Sequence, residues 1–410
     1  MLEEILDYRN ITKALQQVTS NKGAGGVDGM QTDELREWLE ANWIKLKQSI
    51  LEGSYHPSPV RKVEIPKPSG GTRLLGIPTV VDRLLGQAIH QWLIGQYEAG
   101  FSEYSYGFRE GRNAHQAVER AKKYLEEGKV WVVEMDLDKF FDRVNHDKLM
   151  GLLAKRIVDK RTLKLIRSYL NSGIMEGGLM SPRVEGTPQG SPLSPILSNI
   201  MLDELDKELE ARGHSFVRYA DDLNLYVRSE KAAQRTMGSV TEYIEKKLKL
   251  RVNRDKTQVR QGQQSNLLGF SFYRSKGHWE VRIAPKSLRR IKEKIRAKTK
   301  RNDPSKAAEK IKKLEAVIEG WVNYFRIARA KKVMQTLDEM VRHRIRTGIW
   351  KQWKYPRTRI RNLQKLGASQ RNAERWGKSS WGCYRMGNQM GYVGFYNYYH
   401  WKTGYQGKLF

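Results

Sequence analysis

Phe216-Val-Arg-Tyr-Ala-Asp-Asp-Leu-Asn-Leu-Tyr-Val227 holds two apolar runs that pivot on Asp221-Asp222. Apolar residues on both sides of a short polar step predict a β-hairpin with carboxylates at its tip. A second run, Lys129-Val-Trp-Val-Val-Glu-Met-Asp-Leu137, is rich in β-branched and apolar residues. It predicts a buried strand that closes on Asp136 and leads into a helix near Asn145. A sheet that brings these ends together gathers Asp136, Asp221 and Asp222 at one edge. Such a cluster needs a cation, and hard oxygen ligands suit Mg²⁺, which keeps some of its waters and takes phosphate oxygens as well. Two ions roughly 3.5 to 4 Å apart serve an in-line displacement at phosphorus, so phosphoryl transfer is the reaction class indicated. Spacing alone is equally compatible with Asp221-Asp222 as a plain polar turn. Asp138, Asp142 and Asp147 read as cap, turn or surface residues.

Upstream, Val60-Arg-Lys-Val-Glu-Ile-Pro-Lys-Pro-Ser-Gly-Gly-Thr-Arg-Leu-Leu-Gly-Ile-Pro78 alternates around a Pro/Ser/Gly turn. This is a second hairpin signature, and its turn carries the cations Lys67 and Arg73. Helical patterning covers Leu2 to Val18, Val80 to Ala99, His115 to Glu127, Leu163 to Leu170 and Pro195 to Arg212. Asn21-Lys-Gly-Ala-Gly-Gly-Val-Asp-Gly29 is a loop between helices. It is not a P-loop, because the Gly-Lys-Ser/Thr ending is missing and no strand precedes it. From Pro285 the pattern becomes helical, with Ile311, Leu314, Ile318, Trp321 and Phe325 on one stripe. Strands and helices mix without a strict βαβ alternation, which predicts an α+β fold. The end of the chain, including Tyr392-Val-Gly-Phe-Tyr-Asn-Tyr-Tyr-His-Trp401, implies no definite fold.

The chain has 410 residues with 75 Lys and Arg against 45 Asp and Glu, a net charge of +30. Two or three domains are expected at that length. A hydrophobic fraction of 39% is too rich for disorder. No apolar run approaches the ~18 residues of a membrane-spanning helix, so no membrane partner is expected. The start, Met1-Leu-Glu-Glu-Ile, does not read as a secretory signal. A single cysteine, Cys383, excludes an intrachain disulfide framework and a zinc site of paired cysteines, and a cytoplasmic setting is expected. Residues 281–410 carry 33 Lys and Arg against 8 Asp and Glu, a net +25, leaving +5 for the rest. They also hold 17 of the 40 aromatic residues, among them Trp350, Trp353, Trp376 and Trp381. Cations interleaved with stacking rings suit RNA or single strands. A solvated basic face over an ordinary aromatic core is the plainer alternative.

Tyr219-Ala-Asp-Asp222 matches motif C of reverse transcriptases, and Met135-Asp-Leu-Asp-Lys-Phe-Phe-Asp142 resembles their motif A. Gly186-Thr-Pro-Gln-Gly-Ser-Pro-Leu-Ser-Pro195 resembles motif B as group II intron-encoded enzymes write it. The three occur in the family's order and spacing. Tyr106-Gly-Phe-Arg-Glu-Gly-Arg-Asn-Ala-His115, Asn253-Arg-Asp-Lys-Thr257 and Leu267-Leu-Gly-Phe270 add to them. Gly320-Trp-Val-Asn-Tyr-Phe325 and Ile349-Trp-Lys-Gln-Trp-Lys354 resemble the thumb and maturase (X) region of the same proteins. The resemblance, to bacterial group II intron-encoded reverse transcriptase/maturases, covers nearly the whole chain.

It implies a right-hand polymerase fold, with fingers and an antiparallel palm sheet, followed by a helical thumb and a maturase region. The corresponding divisions are 1–80 for an N-terminal extension and the start of the fingers, 81–280 for the fingers and palm, 281–350 for the thumb and 351–410 for the maturase (X) region and nucleic-acid-binding tail. It implies an RNA-directed DNA polymerase that extends a DNA or RNA primer on an RNA template with dNTPs and two Mg²⁺ ions. Group II intron RNA and a DNA target are the further partners implied. By resemblance Asp136, Asp221 and Asp222 are the catalytic, metal-binding triad, with the Leu137 carbonyl as a further ligand. Lys67 and Arg73 neutralise the triphosphate, Gln189 and Gly190 line the nascent base pair, and Phe140 and Phe141 offer the ring that excludes a ribose 2′-hydroxyl, with Phe141 favoured. Lys256 protonates or screens pyrophosphate, or is an ordinary surface lysine. The Gly-rich loop contacts template; Arg109 and Arg112 contact template or nucleotide, or serve structural ion pairs.

Relatives with an endonuclease domain build it on histidines and paired cysteines, so one cysteine and eight His imply that this domain is lacking. A domesticated relative in repair or defence, and a non-catalytic RNA-binding splicing cofactor, are the alternative functions. The intact Asp136, Asp221, Asp222, Lys67 and Arg73 argue against the second.

Overall fold

The computed structural model describes residues 1–66, 71–176, 179–181, 185–187 and 190–389. Its strands are β1 (Val60–Pro66), β2 (Thr72–Ile77), β3 (Trp131–Met135), β4 (Ile174–Glu176), β5 (Leu179–Ser181), β6 (Ser215–Tyr219), β7 (Asp222–Val227), β8 (Gln258–Gln261), β9 (Asn266–Leu267), β10 (Phe270–Ser275) and β11 (His278–Ile283). The chain divides after Gly262 into two compact units.

The first unit holds two sheets. In one, β1 and β2 form the antiparallel hairpin expected of their alternation, with Val63 opposite Leu75, and β1 runs parallel to β4 in the order β2-β1-β4-β5. The other, in the order β6-β7-β3-β8, is antiparallel throughout. Both faces of β3 are covered, since Val132, Val133 and Met135 are all buried. That is why the strand reads as a continuous apolar run rather than a strict alternation.

Helices around these sheets begin where the sequence supplies an oxygen for an orphan backbone N–H. Asp7 caps Tyr8–Ser20, Thr79 caps Val80–Tyr97, and Asn113 with Gln116 forms a reciprocal capping box on Ala114–Glu126. Tyr8–Ser20 buries Ile11, Ala14, Leu15 and Val18, one helical face, against Val80–Tyr97. Glu230–Lys246, capped by Ser229, lays Ala233, Thr236, Val240 and Ile244 into the core beside β3. Ser194–Ala211 is buried on most of its circumference, polar Asn199, Asp203 and Asp206 included. Leu2 to Val18 proves to be two helices, Leu2–Ile5 and Tyr8–Ser20, broken at the cap residue Asp7.

The second unit opens with the antiparallel sheet β11-β10-β9 and continues as helices Pro285–Lys298, Ala307–Phe325, Lys331–Gln352, Pro356–Lys365, Gln370–Gly377 and Cys383–Gln389. The stripe on Ala307–Phe325 is buried at Ile311, Leu314, Ile318 and Phe325. Phe270 of β10 meets the Phe325 ring at 4.8 Å. The division after Gly262 and the sequence-based one at 280 differ by the small sheet β9 to β11. Tyr392 to Trp401 lie outside the described residues. The mixture of sheets and helices is the α+β class expected. Among the described residues no helix is long and apolar enough to cross a membrane.

Candidate active site

Register builds the site. Met135, the last residue of β3, stands opposite Leu223 of β7, so Asp136 follows the end of one strand where Asp222 begins the other. Strands β6 and β7 pair up to Tyr219 opposite Asp222, which leaves Ala220 and Asp221 as the connection. Asp222 is therefore the first residue of a strand, and Asp221 belongs to the turn.

That turn is strained and held from below. Ala220 has φ +56°, a left-handed conformation that costs an L-residue about 1 to 2 kcal/mol. Arg218 Nη1 donates to the Ala220 carbonyl (3.0 Å) and to Asn199 Oδ1 (3.0 Å). Its Nε and Nη2 donate to the Asp206 carboxylate at 2.8 and 2.6 Å. Both side chains of this ion pair are sealed, at 1% and 0% exposure. Burial pushes the Asp206 carboxyl up, and the guanidinium pulls it back. Gly107 lies so close to the turn that a Cβ there would stand 2.3 Å from the Ala220 nitrogen. The Gly107 carbonyl accepts from Asn199 Nδ2 at 3.0 Å.

On the far side of β3, the turn Asn253-Arg-Asp-Lys-Thr257 is strapped to motif A. Asn253 N donates to the Asp136 carbonyl (2.8 Å), and Asp138 N donates to the Arg251 carbonyl (2.8 Å). Leu137 bridges Val252 between those two bonds. Thr257 Oγ1 accepts from Asp136 N at 3.2 Å. Lys256 Nζ donates to Asp136 Oδ2 at 3.1 Å.

A cavity of about 880 Å³ lies over the three aspartates, within the range of small-molecule sites. Lys62, Glu64, Ile65, Thr72 and Leu74 of the β1–β2 hairpin face it from one side, and Asp136 to Asp142, Asp221, Asp222, Asn253 and Lys256 from the other. Asp222 is exposed to this cavity, yet protein surrounds it on its remaining sides. Its carboxyl is pushed up to about 6, by desolvation first and then by the charges of Asp221 and Asp136, with Lys256 opposing. The three carboxylates thus sense one another. Among the described residues no three acidic, His or Cys side chains form a closed metal centre. The donor chemistry nevertheless fits a hard divalent cation: mutually repelling carboxylates, one already drawn to an ammonium.

The remaining expected residues divide. Phe140 is 2% exposed and packs in the core, whereas Phe141 is half-buried, with ring centroids 5.3 Å apart. Both border the cavity. Gly190 has φ +113°, and a Cβ there would stand 2.9 Å from the Gly76 carbonyl, so only glycine suits that approach to β2. Arg73 takes its place in β2 opposite Ile65. Lys67 and Gln189 lie outside the described residues. Arg109 is structural: it is 9% exposed, pairs with Glu98 at 2.7 Å and donates to the carbonyls of Ser102 and Ser105. Arg112 packs over the Tyr106 ring and donates to the Glu103 carbonyl. Asp138 pairs with Arg143, and Asp147 with Arg167. Sequence reasoning missed Lys62 and Lys139 as cavity cations. The strand alternation that puts Lys62 and Glu64 on one face of β1 was the available signal for the first.

Residues 65–272 match the model of the reverse transcriptase (RNA-dependent DNA polymerase) family, and residues 288–367 that of the group II intron maturase-specific domain. Protein YkfC of Escherichia coli is 35% identical over 289 residues, 61% of this chain and 76% of that protein. The group II intron-encoded protein LtrA of Lactococcus lactis is 40% identical over 195 residues, 47% of this chain and 32% of LtrA. The chain therefore matches about three quarters of the first relative and about a third of the second. A solved partial Cas6-RT-Cas1–Cas2 complex superposes with a TM-score of 0.38 at 24% identity, covering 60% of this chain and 42% of that one. That likeness adds nothing to the sequence matches. With the family come dependence on a divalent metal and a nucleic-acid partner. The family model spans half of the chain and the maturase model a separate stretch after it, so the chain belongs to the reverse transcriptase family, in the group II intron form that carries a maturase-specific domain.

Proposed function

We propose that the protein extends a DNA or RNA primer on an RNA template by phosphoryl transfer with two Mg²⁺ ions, and that it assists the splicing and mobility of a group II intron RNA. The observation that carries this reading is that Asp136, Asp221 and Asp222, at the adjoining ends of β3 and β7, line one cavity of about 880 Å³. Asp136, Asp221, Asp222 and the Leu137 carbonyl would hold the metal. Metal held there would supply a lowered pKa at the primer 3′-hydroxyl and charge stabilisation for the leaving pyrophosphate. Lys67 and Arg73 of the β1–β2 hairpin, joined by Lys62 and Lys139 on the cavity wall, bind the triphosphate through charge-assisted bonds. Phe141 would meet the sugar, and Gln189 and Gly190 would line the nascent base pair. Lys256, held 3.1 Å from Asp136 Oδ2 on the cavity wall, would hand a proton to the pyrophosphate or screen its charge. Residues 1–80 serve as N-terminal extension and the start of the fingers. The basic second unit, thumb and maturase together, binds intron RNA.

Purified protein with Mg²⁺, dNTPs and a primed RNA template is expected to make cDNA, and Asp221→Ala with Asp222→Ala to abolish it. Undiminished extension by that variant would remove the site assignment. The same variant is expected to bind and splice the parent intron as wild type does, because that affinity resides in the other unit and the N-terminal loop. Splicing lost in a variant that still folds would refute the separation. Splicing assistance from a wild-type protein that never extends a primer would support the splicing-cofactor reading instead.

A further inference from the structure

His146 is not among the residues that line the cavity over the three aspartates. It opens the helix His146–Ala154, whose cap is Asn145, and it is 3% exposed. Its Nε2 stands 2.7 Å from the carbonyl oxygen of Gly186. A carbonyl only accepts, so Nε2 carries the proton and the tautomer is determined. Two backbone bonds accompany it between the same short segments. Gly186 N donates to the Val144 carbonyl at 2.8 Å, and Thr187 N donates to the Phe141 carbonyl at 2.5 Å. The approach is so close that a Cβ on Gly186 would stand 2.7 Å from the Asp142 carbonyl carbon and 2.8 Å from the Phe141 oxygen. Gly186 also has φ +87°, so glycine is required there twice over.

These bonds join the entry of motif B, at 186–187, to the turn of motif A that carries Phe141. The two backbone bonds are indifferent to side-chain identity. The His146 bond is supplied by a side chain, so substitution can test it. Phe141 is the second residue of a four-residue helix, Phe140–Arg143, entered through Lys139, whose φ of +49° marks a tight turn. So short an element has little rigidity of its own, and its position depends on what it is fastened to.

We propose that His146 is a positioning residue for nucleotide selection: by holding the Gly186 carbonyl it locks motif B onto the Phe141 turn and so sets the distance between the Phe141 ring and the sugar of the incoming nucleotide. The proposal rests on the polymerase reading above. Loosening the lock costs nucleotide affinity and sugar discrimination before it costs the chemical step.

The test is single-nucleotide primer extension with dNTP and with the matching rNTP, on wild type, His146→Gln and His146→Asn. Glutamine can bring an amide N–H to the place of Nε2, and asparagine is one methylene too short. The asparagine variant is expected to raise the dNTP KM and lower the dNTP-over-rNTP preference by about tenfold each, with kcat within about threefold of wild type. Glutamine is expected to restore both to within about threefold. Asparagine with unchanged sugar preference, or with a loss confined to kcat, would overturn the proposal, as would glutamine no better than asparagine. Should both variants unfold, ¹⁵N-histidine spectra of wild type decide it. An imidazole locked in the Nε2–H form that shifts when dNTP is added to the primed protein supports the role; Nε2 without its proton, or a signal indifferent to nucleotide, overturns it. A wild type that extends no primer would refute the polymerase reading, a result distinct from any of these.

Discussion

Arg218→Met tests whether the buried guanidinium supports the fold or the chemistry. It strips the Asp206 carboxylate, at 0% exposure, of its Nε and Nη2 donors and leaves an uncompensated charge in the core. Breaking a buried pair in this way costs about 3 to 5 kcal/mol, a large part of the ~5 to 15 kcal/mol that holds a domain together. Adding Asp206→Leu removes the stranded charge, and stability is expected to return to within about 1 to 2 kcal/mol of wild type, the remainder being the Asn199 oxygen that has lost its donor. Activity does not return with it. The Ala220 carbonyl no longer has a partner, its left-handed backbone is unsupported, and the carboxylates of Asp221 and Asp222 lose their fixed placement. A misplacement on the order of 1 Å costs roughly a hundredfold in rate. Urea unfolding and single-turnover extension on a primed RNA measure the two effects separately. A double variant with stability restored and a wild-type extension rate would refute the positioning argument. One as unstable as Arg218→Met alone would refute the charge argument.

Gly107→Ala is expected to abolish extension with RNA binding intact, because its Cβ would stand 2.3 Å from the Ala220 nitrogen and push the turn aside; a wild-type extension rate would show that the turn can move without consequence. Asp222 ionises at about 6 in the metal-free fold against 3.8 ordinarily, so its folded pKa is raised. The stability it contributes relative to asparagine is full below about pH 3.8, is lost as pH rises to about 6, and is flat beyond that. The melting temperature of wild type minus that of Asp222→Asn, taken in EDTA from pH 4 to 8, should fall over this window, and a rise would contradict the assigned environment. Lys256→Met removes the ammonium that competes for Asp136 Oδ2, so Mn²⁺ should bind the nucleotide-free protein roughly threefold more tightly. Weaker binding by calorimetry or electron paramagnetic resonance would mean that Lys256 orders the site more than it competes for it.

The three aspartates were legible because each ends or begins an apolar run, and a strand's apolar residues announce where it stops. What holds them in place was less so, for a physical reason. Ala220 occupies a left-handed turn where Arg218, Asn199 and Gly107 converge, and Asn199 and Gly107, which bond each other beside it, are 92 positions apart in the chain. Likewise nothing in Phe140-Phe141 tells which ring the core takes, since a four-residue helix has no periodicity to read; packing alone buries the first and leaves the second at the cavity. Supporting residues do leave a trace, in the form of a polar group where the pattern demands an apolar one. Arg218 interrupts Phe216-Val-Arg-Tyr, and Asn199, Asp203 and Asp206 are buried polar interruptions of the run Ile196 to Leu209. A guanidinium in a strand and a carboxylate in a neighbouring helix, both destined for the interior, can each be buried at tolerable cost only against the other. The interruptions therefore call for a buried ion pair, and the fold selects Asp206 for Arg218 while Asp203 takes Lys207. His146 escapes that logic because it partners a backbone carbonyl, which every residue carries, and no second interruption marks Gly186.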